Sequence, residues 1–125
     1  MEMVSNNRID PSKIYELIKR DNSGSVVLHF ATVKRVNENR TISSVEFYAN
    51  GDVHEELRAI SEEIRNKWKT DDVLIIRRLG RLDIGEIISL VAVSSSNRKQ
   101  AFEACDYGVK RLKEMSSIKK KETFL

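Results

Sequence analysis

The chain has 125 residues, 40% of them apolar and 33% charged, with a formal net charge of +3. That length fits one domain over 1–125 with a single hydrophobic core, and no apolar run approaches the ~18 residues needed to span a bilayer. Met1 to Asn7 carries no basic region followed by an apolar stretch, so no secretory signal is read there and the expected compartment is the cytoplasm; residues 1–9 are expected to be a loose N-terminus.

Asp10-Pro11-Ser12 marks a helix start, an acceptor cap followed by proline at the first helical position. Ile14, Leu17 and Ile18 give that short helix an apolar face, and Asn22, Ser23 and Gly24 end it. Gly24 to Val33 is β-rich and almost continuously apolar, which predicts a central strand. A charged segment from Lys34 to Arg40 separates it from a second strand, Thr41 to Ala49. Asn50-Gly51-Asp52 supplies a turn and a cap. Val53, Leu57, Ile60, Ile64 and Trp68 then recur at helical spacing, predicting an amphipathic helix that packs on the sheet.

Asp72 to Leu79 and Glu86 to Ser94 are two further strands joined through Gly80 and Gly85, a link too short for a parallel crossover. Within the first, Arg77 and Arg78 must point to opposite faces, so at most one can join a given pocket. The last helix starts near Ser96 and presents Phe102, Cys105, Val109 and Leu112 as its core stripe. The elements together predict an α+β domain, helices packed on a largely antiparallel sheet.

The positive charge is concentrated in one place. Lys110 to Glu122 holds six basic and two acidic residues, a net +4 against +3 for the whole chain, so the remainder carries −1. A nucleic-acid footprint usually needs a basic stripe over a whole face; this distribution favours a small anionic ligand. Cys105 is the only cysteine, which excludes an internal disulfide, and it reads as a small buried hydrophobe. With His29 and His54 the only histidines, no metal site is expected, and His29 reads as a packed or interface residue.

Three groups are candidates for chemistry. Arg98 lies in the first turn of the last helix, where free backbone N–H groups and a guanidinium can seat a phosphate or carboxylate; a solvated arginine is the alternative. Lys113 and Lys120 are seven residues apart. A continuing helix would put them ~10 Å apart on one face, whereas Ser116-Ser117 weakens the helix, so the tail can instead fold back, or fray. Lys34-Arg35 at the end of the first long strand is a second anion contact or a solvated strand end.

Ile75-Ile76-Arg77-Arg78-Leu79-Gly80-Arg81-Leu82, Val91-Ala92-Val93-Ser94-Ser95-Ser96-Asn97-Arg98 and Ala101-Phe102-Glu103-Ala104 occur in that order. This series is similar to the MoaE family, the large catalytic subunit of molybdopterin synthase. Gly24 to Arg35 resembles the family's first core strand with its basic end, and Val45-Glu46-Phe47-Tyr48 resembles its "LEHY" strand. The similarity runs from Gly24 to Glu122. It implies an α/β hammerhead fold, with a basic C-terminal tail (116–125) contributing to the pocket. It also implies sulfur transfer from the C-terminal Gly-Gly thiocarboxylate of a MoaD-type ubiquitin-like carrier to cyclic pyranopterin monophosphate, forming the molybdopterin dithiolene. The implied assembly is a homodimer at the centre of a heterotetramer with two carriers, with no bound cofactor, no metal, no membrane and no nucleic acid.

By the same resemblance Lys113 matches the family's essential lysine and Lys120 its second lysine, giving both catalytic roles. Arg98 matches the arginine of a His-Arg pair, and Lys34 (or Arg35 after a one-residue shift) stands where an arginine is usual; these three would bind anions. Asn97 replaces the histidine of that pair beside the substrate, and the Pro-Phe-Trp-Lys tail appears as Ser117-Ile118-Lys119-Lys120. A MoaE-like scaffold that binds a carrier without turnover and a small RNA-binding domain are the competing functions.

Overall fold

The structure is a computed structural model describing residues 1–125. In chain order its elements are β1 (Glu2–Ser5), a 3-10 turn (Pro11–Lys13) running into α1 (Ile14–Ile18), β2 (Ser25–Thr32), β3 (Val36–Asn37), β4 (Arg40–Ala49) and α2 (Val53–Lys67). β5 (Asp72–Arg78), β6 (Gly80–Asp83), β7 (Ile87–Ser95), α3 (Arg98–Lys113) and β8 (Ile118–Phe124) complete it. One sheet has the order β1-β5-β7-β2; in the other β4 pairs with β3, β6 and β8. Every pairing is antiparallel except β1 with β5. The fold is α+β, as the pattern of elements predicts.

The helices lie on both faces of the first sheet because its strands are apolar on both. Val53, Leu57, Ile60 and Ile64 of α2 and Ala101, Ala104, Cys105 and Leu112 of α3 pack on Val73, Ile75, Val91 and Val93. On the opposite face Ile14 and Ile18 of α1 meet Leu74, Ile76, Leu90 and Ala92. Each fully buried Val, Leu or Ile among them stabilises the fold by about 1.5–3 kcal/mol. Asp52 caps α2 by accepting from the Glu55 N–H at 3.0 Å. At Gly108 α3 comes so close to the sheet that a Cβ would stand 3.0 Å from Val91 Cγ1 and 3.2 Å from Ile64 Cδ1. A third cluster, Val33, Ile42, Val45, Phe47 and Leu82, fills the second sheet.

Several expectations are corrected. The N-terminus is not loose: Met3 lies opposite Ile76, the terminal amine donates to the Val73 carbonyl at 2.8 Å, and β1 covers an edge of β5 that would otherwise stay open. β2 is an edge strand, not a central one, pairing only with β7. It reads as continuously apolar because Val27 faces the α2–α3 core while Val26 and Phe30 face that of α1. The charged segment after it forms a β3–β4 hairpin through Glu38 and Asn39, whose φ angles of 51° and 66° suit a two-residue type I′ turn.

Gly80 to Asp83, expected as part of a link, is a strand that leaves the first sheet and joins β4 of the second. Phe102 is 59% exposed, because the buried stripe of α3 runs through Ala101, Ala104, Cys105, Gly108 and Leu112. Small residues there let the helix approach the sheet and leave no room for a phenyl ring. The tail after Ser117 neither continues the helix nor frays; it returns as β8 along β4.

Candidate active site

The reversal between α3 and β8 is what assembles the site. Lys113 is the last residue of α3, where the negative end of the helix dipole favours a cation. The chain then turns at Ser116 and Ser117, whose backbone N–H groups donate to the Glu56 carboxylate in the first turn of α2 at 3.1 and 3.0 Å. The Ser117 hydroxyl donates to the same carboxylate at 2.5 Å. Burial alone would raise the Glu56 pKa, but these three donors outweigh it and hold the carboxyl below its usual range. The Ser117 carbonyl accepts from the Asn50 N–H at 2.7 Å, tying the turn to the end of β4 as well.

From there the register is fixed. Lys120 pairs with Phe47 and Glu122 with Val45 in the β8–β4 ladder. Residues two apart on a strand share a face, so Lys120 and Glu122 point the same way, Nζ to Oε1 at 3.3 Å. Asn37 of the hairpin donates its Nδ2 to both Glu122 oxygens at 3.2 Å. Lys120 therefore sits in a chain of contacts leading back to β3.

A cleft of about 630 Å³ opens between the two sheets at this point. Its walls include Val45, Phe47, Ile88, Leu112 and Met115, and its charged lining is Lys34, Arg77, Lys113, Lys120 and Glu122. Lys34, Lys113 and Lys120 thus come together from β2's end, α3's end and β8. His29 also lines the cleft from the exposed edge strand. Lys34, and not Arg35, faces it; the Arg35 carbonyl is occupied by the Ile42 N–H at 2.6 Å.

Arg98 and Asn97 are elsewhere. Asn97 is the N-cap of α3, its Oδ1 accepting from the Gln100 N–H at 3.1 Å, and it borders a shallow surface hollow with Lys67, Trp68, Lys99, Gln100 and Glu103. At ~1.5 Å per residue the 16-residue α3 puts Arg98 ~22 Å from Lys113. The two ends of this helix do not serve one pocket within one chain.

Sequence reasoning missed Arg77, Asn37, Glu56 and Glu122. The alternation of Arg77 and Arg78 was visible, but not which of them faces the cleft. Arg77 does, 7% exposed, with its guanidinium carbon 4.3 Å from the centre of the Phe47 ring and its Nη1 donating to the Ile88 carbonyl at 3.3 Å. Burial lowers its pKa to about 10. Arg78 turns to the other face, its Nη1 2.5 Å from Glu86 Oε1 and its Nη2 donating to the Arg81 carbonyl. Cys105 is buried as expected; burial, and next the nearby Asp106, push its thiol up to about 11, so it is no nucleophile.

The model of the family described as "MoaE protein" matches residues 4–115. The chain belongs to the MoaE family. It is 31% identical over 120 residues to the molybdopterin synthase catalytic subunit of Bacillus subtilis, covering 95% of this chain and 76% of that protein. Molybdopterin synthase from Staphylococcus aureus has the same fold, with a TM-score of 0.89 and 30% identity over 98% of this chain and 90% of that one. A complex of subunits 1 and 2 of molybdopterin-converting factor from Helicobacter pylori also matches, with a TM-score of 0.76 over 98% of this chain and 84% of that one; at 16% identity it shows the fold alone. No helix of this MoaE chain is long and apolar enough to cross a membrane.

Proposed function

We propose that this chain is the catalytic subunit of a molybdopterin synthase, a sulfurtransferase. It moves sulfur from the thiocarboxylate of a MoaD-type ubiquitin-like carrier to cyclic pyranopterin monophosphate. The observation that carries the reading is the convergence of Lys34, Lys113 and Lys120 on one cleft. Both ligands are anionic where they would enter it, one through a phosphate and the other through its C-terminus. Fixed cations in a partly apolar cleft act on such groups far more strongly than they would in water.

Lys113 and Lys120 have different tasks in this reading. Lys113 makes no ion pair, so its ammonium is available to stabilise charge on the carrier's acyl oxygen as sulfur leaves, or to pass a proton. Lys120 is held by Glu122 and keeps a fixed charge beside it. Lys34 binds the anion as a point charge, without the two-pronged fork an arginine would offer.

Arg98 and Asn97 fit the reading only through a second copy. Their end of α3 is remote from the cleft of its own chain, so Arg98 contributes an anion contact to the partner's cleft, in a homodimer flanked by two carriers. Asn97 holds the helix start that presents it. The Helicobacter pylori protein of this fold is found in a complex of two different subunits, and an assembly of this chain with a carrier is of the same kind. A cytoplasmic location accords with this role.

The test is dithiolene formation from cyclic pyranopterin monophosphate and a thiocarboxylated carrier, by the wild-type chain and by Lys113→Ala. Turnover that collapses in the variant is the expected result. Carrier binding without turnover by the wild type would replace the enzyme with a scaffold.

A further inference from the structure

Arg77 has no counter-ion. A buried guanidinium normally has its charge met by a carboxylate, since taking an ion out of water costs several kcal/mol. Arg78, equally buried at 7% exposure, is treated that way by Glu86. For Arg77 the fold supplies one carbonyl, that of Ile88, and the face of Phe47. Its Nε, like that of Arg78, is shut off from solvent and meets no acceptor, but Arg77 alone of the two also lacks a carboxylate. The only carboxylate lining the cleft, Glu122, is already engaged by Lys120 and by both contacts from Asn37.

A guanidinium held over a ring and by one carbonyl is restricted in orientation, and its planar fork suits two oxygens of one oxyanion. We propose that Arg77 is an oxyanion receptor in the wall of the cleft, its missing counter-ion being supplied by a ligand that carries a phosphate monoester or a terminal carboxylate. The inference rests on the reading of this cleft as the seat of anionic ligands, and it adds a fourth cation that comes from β5 of the first sheet. It also accounts for a buried charge the fold leaves uncompensated: stability is given up where a ligand is to bind.

The test uses the full chain with Arg77→Lys and Arg77→Met. Inorganic phosphate and, separately, a peptide ending in a free Gly-Gly carboxylate are titrated at constant ionic strength, which keeps non-specific screening fixed. Wild type binds at least one probe, and that binding raises its melting temperature by mass action. Arg77→Met is expected to lose about tenfold or more in affinity for that probe, the scale of a charge-assisted pair, and Arg77→Lys to recover only part. Loss confined to phosphate assigns the monoester; loss confined to the peptide assigns the carboxylate.

Without ligand, the melting temperature of Arg77→Met should stay level or rise, because a buried unpaired charge has gone. Unchanged affinity for both probes, or a lowered melting temperature with unchanged affinity, would overturn the assignment and make Arg77 structural. If Arg77→Met does not fold, the affinity of Arg77→Lys decides alone. Phosphate binding through Arg77 in a chain that forms no dithiolene would leave this inference standing and remove the sulfur-transfer reading instead.

Discussion

Glu56 and Ser117, 61 residues apart, are joined twice: the carboxylate accepts from both the backbone N–H and the hydroxyl of the serine, at 3.0 and 2.5 Å. With the Ser116 N–H added, one side chain meets three donors at the centre of the reversal between Lys113 and Lys120. Removing it strands those donors, at a cost of about 1–3 kcal/mol. Glu56→Ala should lose that much stability in urea unfolding. Its turnover should fall further than this implies, since both lysines are placed by the turn. Glu56→Gln keeps an acceptor and should be milder on both counts. Wild-type turnover in Glu56→Ala would mean that the reversal does not position the site.

Glu122 offers a test in which two readouts should move in opposite directions. Its carboxylate holds Lys120 and is itself held by Asn37. Glu122→Gln retains an acceptor for Asn37 but removes the only negative charge lining the cleft. A more positive cleft attracts anions more strongly, so affinity for inorganic phosphate should rise. Lys120, no longer held, should be misplaced, and turnover should drop by about tenfold, the scale of one charged hydrogen bond. Parallel loss of binding and turnover would show that Glu122 only maintains the fold.

The parts of this site that sequence made legible are those set by local rules. Lys113 near a helix end, Lys34 at a strand end and Arg98 in the first turn of a helix all follow from residues within a turn of themselves. What stayed hidden depends on distant partners. Whether the tail folds back is decided by Glu56, whose contacts span 60 residues and have no sequence signature. β8 itself, Ile118-Lys119-Lys120-Lys121-Glu122-Thr123-Phe124, is too rich in lysine for a strand reading, because one of its faces is solvated and the other lines a charged cleft.

Arg98 illustrates a different limit. Its place at the helix start follows from the sequence, but α3 runs away from the cleft towards it and sets it at the far end of the helix from Lys113. The choice between Arg77 and Arg78 required the ladder of β5 with β7, in which Arg77 lies opposite Ser89.

Acid stability should report a half-buried contact between α2 and α3. Glu63 accepts from Arg111 Nε at 2.8 Å and Nη2 at 3.1 Å, and from the Tyr107 hydroxyl. The Arg111 guanidinium first, then the tyrosine, hold its carboxyl at about 2, against an ordinary 4.5. A carboxyl depressed in the folded state stabilises fully above its unfolded value, and that contribution fades as the pH falls towards the folded value. Stability should therefore decline from about pH 5 towards pH 2. In Glu63→Gln the decline should be shallower and the stability at pH 7 lower, as measured by urea midpoints across that range. An unchanged slope would mean that the Glu63–Arg111 pair contributes nothing in solution.

Mixing two inactive variants tests the second copy. If Arg98 serves the partner's cleft while Lys113 serves its own, Lys113→Ala and Arg98→Ala each inactivate every cleft of their own homodimer. A mixed dimer then holds one cleft with both substitutions and one with neither. After random subunit exchange about a quarter of all clefts should be intact, since half the dimers are mixed and half of their clefts are whole. Activity should rise from near zero towards that fraction as the variants exchange, and it should not rise when exchange is blocked by cross-linking beforehand. Lys113→Ala mixed with Lys120→Ala is the control: both lysines line the cleft of their own chain, so every mixed dimer carries a defect in each cleft and no activity should return. Recovery in the control, or none in the first mixture, would return Arg98 to the role of a solvated helix-start residue.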